Sequence, residues 1–221
     1  MARYPTPANA DVVLTSEDGT AAVGLARRAL QQGFDQPPGT DAAAPFRSVP
    51  LPAVLDEPRG VFVTLRRHPS NDLRGCIGFP LPVFPLRAAI PRAAWAAAVD
   101  DPRFPPVRRS ELDRLTLELS ILTVPEPVDV EPRAAIAGQV KVGRHGLIVD
   151  RRGASGLLLP QVATEFGWTP AEFLAATCQK AGLPAEAWRQ PGTTVRRFSA
   201  ELFEETTPGG PVRPMSLATH R

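Results

Sequence analysis

Residues 140–159 read VKVGRHGLIVDRRGASGLLL. Short β-rich runs are cut here by glycines, the pattern of an antiparallel meander. Earlier in the chain, Val61 to Leu65 (VFVTL) is a compact apolar, β-branched run that suits a buried strand. Leu117, Leu119 and Ile121 alternate with Thr116, Glu118 and Ser120, which predicts a strand with one buried face and Glu118 on the polar one. Phe198, Ala200 and Leu202 alternate in a last strand.

Helices punctuate these strands. An amphipathic helix is predicted over 16–33, with Val23, Ala26, Leu30 and Phe34 at spacings of three and four, capped by Thr15 and ended by Gly33. A second, alanine-rich helix is predicted over 84–99, with Pro91 either kinking it or starting a new first turn. The third, 170–181, has marked ends: Thr169 at the N-cap, Pro170 in the first helical position, Glu172 to complete a capping box and Gly182 beyond the end. The proline-rich segment 35–59 reads as an extended loop, and RRHPSNDLRGCIGFPLP as a turn-rich stretch around Cys76. Strands outnumber helices and connections are short, so the fold class is α+β, a mostly antiparallel sheet with packed helices.

Composition sets outer limits. At 221 residues, 43% hydrophobic and 22% charged, the chain suits one large globular domain or two tightly joined lobes. The domain proper is expected over 11–206, with 1–10 and 207–221 (TPGGPVRPMSLATHR) as loose tails. Lys141 and Lys180 are the only lysines among 25 basic residues, a bias expected of a GC-rich genome, and the net charge is +2 without a clustered basic face. That argues against nucleic-acid binding. No apolar run reaches the roughly 18 residues of a membrane span, and the start lacks a signal-peptide core, so a cytoplasmic protein is expected. Cys76 and Cys178 are too few for a disulfide framework and read as free thiols. No cofactor loop and no metal ligands at recognisable spacing occur.

Chemistry centres on Cys76. Glycines 75 and 78 would let backbone and ligand approach closely, and Arg74 two residues away would favour a thiolate. The alternative is a buried structural cysteine. His145, between glycines in GRHG, could point into a cleft as a general base, or simply occupy a turn. His68 should be exposed and His220 lies in the tail. Glu118 and the Asp100–Asp101 pair could orient a histidine or accept an arginine, with surface solvation as the ordinary outcome.

At LRGCIG, residues 73–78, the sequence resembles the AMMECR domain family, and this hexapeptide is that family's signature. VFVTL, DPRFPPV at 101–107, LELSIL at 117–122, GRHGLIV at 143–149, LLLPQVATEFGW at 157–168, FLAATCQKAGL at 173–183 and FSAELFEE agree in order. The resemblance implies two lobes with the cysteine loop lining a cleft between them. It implies cleft candidates Arg74, Gly75, Cys76, Ile77 and Gly78, with Asp101, Arg103, Glu118, His145, Gln161 and Lys180 as neighbours. Two readings stay open. One is an enzyme acting on a small or nucleotide-like substrate, with Cys76 as nucleophile, His145 as base and Arg74 as anion clamp. The other is a binding module for a protein partner such as the Memo-like or radical SAM proteins to which prokaryotic members are linked.

Overall fold

A computed structural model describes residues 13–37 and 39–215. The expected tail 1–10, and 216–221 with His220, lie outside the described residues. The chain divides into two compact units, residues 13–124 with 201–215, and 125–200.

The first unit opens with α1 (Ser16–Gly33), as its capping pattern predicts: the Thr15 hydroxyl accepts from the Asp18 N–H while the Asp18 carboxylate accepts from the Thr15 N–H. Such a cap is worth about 1 kcal/mol. Its buried stripe runs through Ala22, Val23, Ala26 and Leu30. Two short 3₁₀ turns, Ala44–Phe46 and Ala53–Asp56, break the 35–59 segment. Strands β1 (Val61–Arg67) and β2 (Leu73–Phe79), helix α2 (Leu86–Val99) and strand β3 (Leu115–Leu122) follow. Pro91 lies inside α2, which runs on to Val99 despite the N–H that proline withholds from the Arg87 carbonyl.

LRGCIGF is thus a strand, where its glycines had suggested turns. β2 is the edge of a five-stranded sheet, and both glycines answer crowding within the protein. A Cβ on Gly75 would stand 2.0 Å from the Ala97 carbonyl oxygen of α2, and one on Gly78 would stand 2.2 Å from the Val61 carbonyl oxygen. Their missing side chains admit the chain's own backbone.

β1 is central, antiparallel to β2 on one side and to β3 on the other. Val61, Val63 and Leu65 join Leu117, Leu119 and Ile121 in the core, against α1 and the alanines of α2. The sheet is completed by β8 (Ala200–Glu205) and β9 (Val212–Met215), in the order β2-β1-β3-β8-β9. β9 falls inside the stretch that reads as tail; proline and glycine there form the turn that returns the chain to pair with β8. Arg27 of α1 and Glu205 of β8 form a buried ion pair; Arg27 also donates to the Leu112 and Leu115 carbonyls, and Glu205 accepts from the Leu117 N–H.

The second unit holds a sheet ordered β4-β7-β5-β6. Its strands are β4 (Glu126–Pro127), β5 (Gly146–Arg151), β6 (Ala154–Leu158) and β7 (Thr194–Phe198). The meander of 140–159 is realised as the β5–β6 hairpin, with 140–145 forming the approach turn. The short helix α3 (Pro160–Glu165) follows β6, and α4 (Pro170–Lys180) carries the Thr169–Glu172 capping box. Phe173, Leu174 and Cys178 of α4 pack with Leu147, Val149 and Trp188. The alternation through Phe198, Ala200 and Leu202 spans two strands in different sheets. A period of two continues unbroken across Ser199, so periodicity does not show where the chain passes from β7 to β8.

Candidate active site

Antiparallel register places Cys76 opposite Thr64, and Thr64 opposite Glu118. Three adjacent strands therefore present a row, Cys76–Thr64–Glu118, on the face away from the α1–α2 core. Thr64 and Glu118 are buried, at 6% and 4% exposure, and Cys76 is half-buried. The Thr64 hydroxyl donates to the Cys76 sulfur at 3.3 Å. Arg66, two residues along β1 on the same face, donates from Nε to Glu118 at 3.2 Å. Glu118 on its strand is thus buried and paired, where a solvated position is the ordinary outcome. The arginine that neutralises it comes from another strand.

The outer edge of β2 is held by side chains. The Cys76 N–H donates to Asp101 Oδ2 at 2.8 Å, and Arg103 Nη2 donates to the Cys76 carbonyl at 3.3 Å. The two are themselves paired: Arg103 Nε and Nη2 reach Asp101 at 2.9 and 2.7 Å. An acceptor and a donor thus meet Cys76 where a neighbouring strand would, which blunts a bare sheet edge. The Arg103 guanidinium holds the Asp101 carboxyl well below the usual carboxylate range.

Burial pushes the Cys76 thiol up, and the Glu118 and Asp101 charges add to the rise; the Thr64 hydrogen bond and the Arg103 charge oppose it. The resting sulfur is therefore a protonated thiol. Arg103 is the guanidinium that acts on it. Arg74, expected in that role, is the extra residue of a β-bulge: Leu65 pairs with Gly75 while Arg66 pairs with Leu73. Arg74 is 2% exposed, and its Nε and Nη2 hold Glu111 at 3.0 and 3.2 Å. Ile77 packs against the core of the first unit.

His145, Gln161 and Lys180 belong to the second unit. His145 is buried in its own turn, where Nδ1 accepts from the Lys141 N–H at 3.1 Å. The ring is held there, although flanking glycines suggested freedom to swing. Burial first, then the charges of Arg197, Arg144 and Lys141, push its pKa down, so it is neutral near pH 7. Gln161 is half-buried on α3, with Oε1 unpartnered among the described residues, and Lys180 is exposed at the end of α4. Thr64 and Arg66 escape a motif reading, although the alternation of VFVTLRR puts both on one face. No group of three or more His, Cys, Asp or Glu gathers at metal-binding distance among the described residues. No described helix is long and apolar enough to cross a membrane.

An α+β chain of two antiparallel sheets, with a cysteine on an edge strand, is the class these elements define. The AMMECR1 family model matches residues 23–203, and the chain belongs to that family. It is 57% identical over 169 residues to a protein of Thermococcus gammatolerans, covering 75% of this chain and 82% of that one. It is 50% identical over 207 residues to a protein of Pyrococcus abyssi, covering 92% and 98%. Among solved structures, it is similar to an uncharacterized protein from Pyrococcus horikoshii, with a TM-score of 0.76 and 46% identity over 92% of this chain and 98% of that one.

Proposed function

We propose that this chain is a cysteine-dependent enzyme acting on a small or nucleotide-like substrate, with Cys76 as nucleophile or covalent carrier. The row Cys76–Thr64–Glu118 supports this reading. A thiol held protonated needs a base before it can attack, and a buried carboxylate stands one strand beyond the hydroxyl that touches the sulfur. The Thr64 hydroxyl turns its own hydrogen from the sulfur to the Glu118 carboxylate and gives that proton up, the Cys76 S–H bond breaks as the hydroxyl oxygen takes the thiol proton in exchange, and the sulfur bonds an electrophilic carbon of the substrate. The bond from that carbon to the leaving group then breaks, and the leaving group takes the proton from Glu118. Glu118 takes the base role in place of His145, and Arg103 the anion-facing role in place of Arg74, because Glu118 lies in register beyond Thr64 and the Arg103 charge acts on the sulfur.

Acetylation by p-nitrophenyl acetate at pH 7 tests this reading. Wild type is expected to gain one acetyl group on Cys76 with a burst of nitrophenolate, and Cys76→Ala to show neither. Glu118→Gln separates a base from a mere neighbour. Losing its charge lowers the thiol pKa, which alone would speed acetylation, whereas losing a base slows it. A faster Glu118→Gln enzyme, or no adduct on Cys76, overturns the proposal.

The protonated thiol also favours a second reading, a module that binds a protein partner such as a Memo-like or radical SAM protein, with Cys76 as a small uncharged group. Under that reading Cys76→Ser binds the purified partner as tightly as wild type in calorimetry, and weakened binding would count against it. Two free thiols suit a reducing compartment, so the cytoplasm is the proposed location in either case.

A further inference from the structure

A second feature of the first unit stands apart from the cysteine row. Arg67 at the end of β1, Arg74 in the β2 bulge, Arg108 at the start of the 3₁₀ turn Arg109–Arg114 and Ser110 within it line a pocket of about 560 Å³. Glu111 is the one acidic residue in its lining, and Pro105 and Pro106 form an apolar wall. Three arginines thus share the lining with a single carboxylate among the described residues. Glu111 is already engaged by Arg74 through two hydrogen bonds and by the Arg108 N–H at 2.8 Å. Arg67 adds its charge to the same carboxyl.

One buried donor here is left over. Arg74 is 2% exposed, yet its Nη1 has no hydrogen-bond partner among the described residues. A buried guanidinium N–H without an acceptor is unfavourable, and native structures usually supply one. Arg67 and Arg108 are exposed, and neither lies within ion-pair distance of a carboxylate among the described residues.

We infer that this pocket binds a small phosphomonoester. Such a group carries close to two negative charges at neutral pH and three acceptor oxygens, enough to satisfy several guanidinium groups at once. A lone carboxylate offers two oxygens and one charge, which Glu111 already supplies. The volume lies in the range that holds a small organic ligand, so the ester's organic part has room against the proline wall. The inference is independent of the reaction proposed at Cys76, since it needs neither a thiol nor a base.

Calorimetric titration of the full chain with inorganic phosphate, glycerol phosphate and acetate tests it. One saturable site per chain is expected, glycerol phosphate tightest and acetate weakest. Arg67→Ala and Arg108→Ala, both at exposed positions, should keep the wild-type unfolding midpoint while each weakens phosphate binding about tenfold or more. Arg66→Ala, on the cysteine row, should leave that binding unchanged. No saturable binding, equal binding in both pocket variants, or acetate binding as tightly as glycerol phosphate would overturn the inference. A chain that binds phosphate normally but fails to acetylate leaves the pocket standing and removes only the cysteine reading.

Discussion

Replacing Asp101 by Asn tests whether a side-chain pair substitutes for a neighbouring strand at Cys76. The carboxylate accepts from the Cys76 N–H, the Arg103 N–H and two guanidinium nitrogens, while itself only 4% exposed. An amide of the same shape keeps one acceptor oxygen and turns an N–H₂ toward donors. Losing a charged acceptor for the Cys76 N–H costs about 1.5–3 kcal/mol. The Arg103 side chain is 53% exposed, so its pair adds only about 0–1 kcal/mol. The sum is about 1.5–4 kcal/mol at pH 7, read from urea unfolding. The sign with pH follows from the depressed Asp101 pKa. Stability from such a group is present above the unfolded value of about 3.9 and is lost as pH falls through the depressed folded value, so the two proteins should still differ at about pH 4 and converge only well below it. Amide hydrogen exchange gives the local readout: the Cys76 N–H should exchange faster in Asp101→Asn. An unchanged Cys76 exchange rate, with stability within about 0.5 kcal/mol of wild type, would refute the edge-cap argument.

Other perturbations probe the site and its frame. Thr64→Val should raise the pH at which iodoacetamide labels Cys76, because the hydroxyl lowers the thiol pKa; a labelling curve that does not move would remove Thr64 from the sulfur's surroundings. Glu205→Ala leaves buried Arg27 without its partner and should cost about 3–5 kcal/mol in urea unfolding, most of it recovered in the Arg27→Met, Glu205→Leu double variant. Gly75→Ala forces a Cβ against the Ala97 carbonyl oxygen and should cost about 1–3 kcal/mol, measured as a lowered unfolding midpoint. Arg92 holds Asp41 at about 2, so this pair's contribution, about 1 kcal/mol after solvent screening, is present above pH 4 and disappears toward pH 2. Asp41→Asn should therefore differ from wild type at pH 7 and match it at pH 2.

What could be read from the residues alone divides by the range of the interaction behind it. α1 and α4 are legible to within a residue because their ends are set by contacts across three residues, Thr15 with Asp18 and Thr169 with Glu172. The β1 and β3 cores are legible because an apolar, β-branched run and a period of two are local signals too. LRGCIGF misleads because its glycines serve contacts with Ala97 and Val61, and nothing within seven residues distinguishes a glycine that turns from one that makes room. Glu118 misleads in the same manner: its burial depends on Arg66, 52 positions away in sequence.

The cysteine row shows how little was missing. Once LRGCIGF is taken as a strand, period two puts Cys76 on one face, Thr64 and Arg66 share a face of β1, and Glu118 stands on the polar side of β3. Each residue type was visible. Their meeting depends on β1 lying between β2 and β3, and on a register in which one Thr64 faces both Cys76 and Glu118. A shift of one residue in either pairing would send that strand's members to the opposite face and dissolve the row. The bulge at Arg74 matters for the same reason. Without the extra residue, Arg74 would share the face of Cys76, where a neighbouring guanidinium was expected. With it, Arg74 goes to Glu111 and the arginine pocket, and the charge near the sulfur falls to Arg103 on the chain segment after α2. One inserted residue thus separates a thiol site from an anion pocket on the same strand.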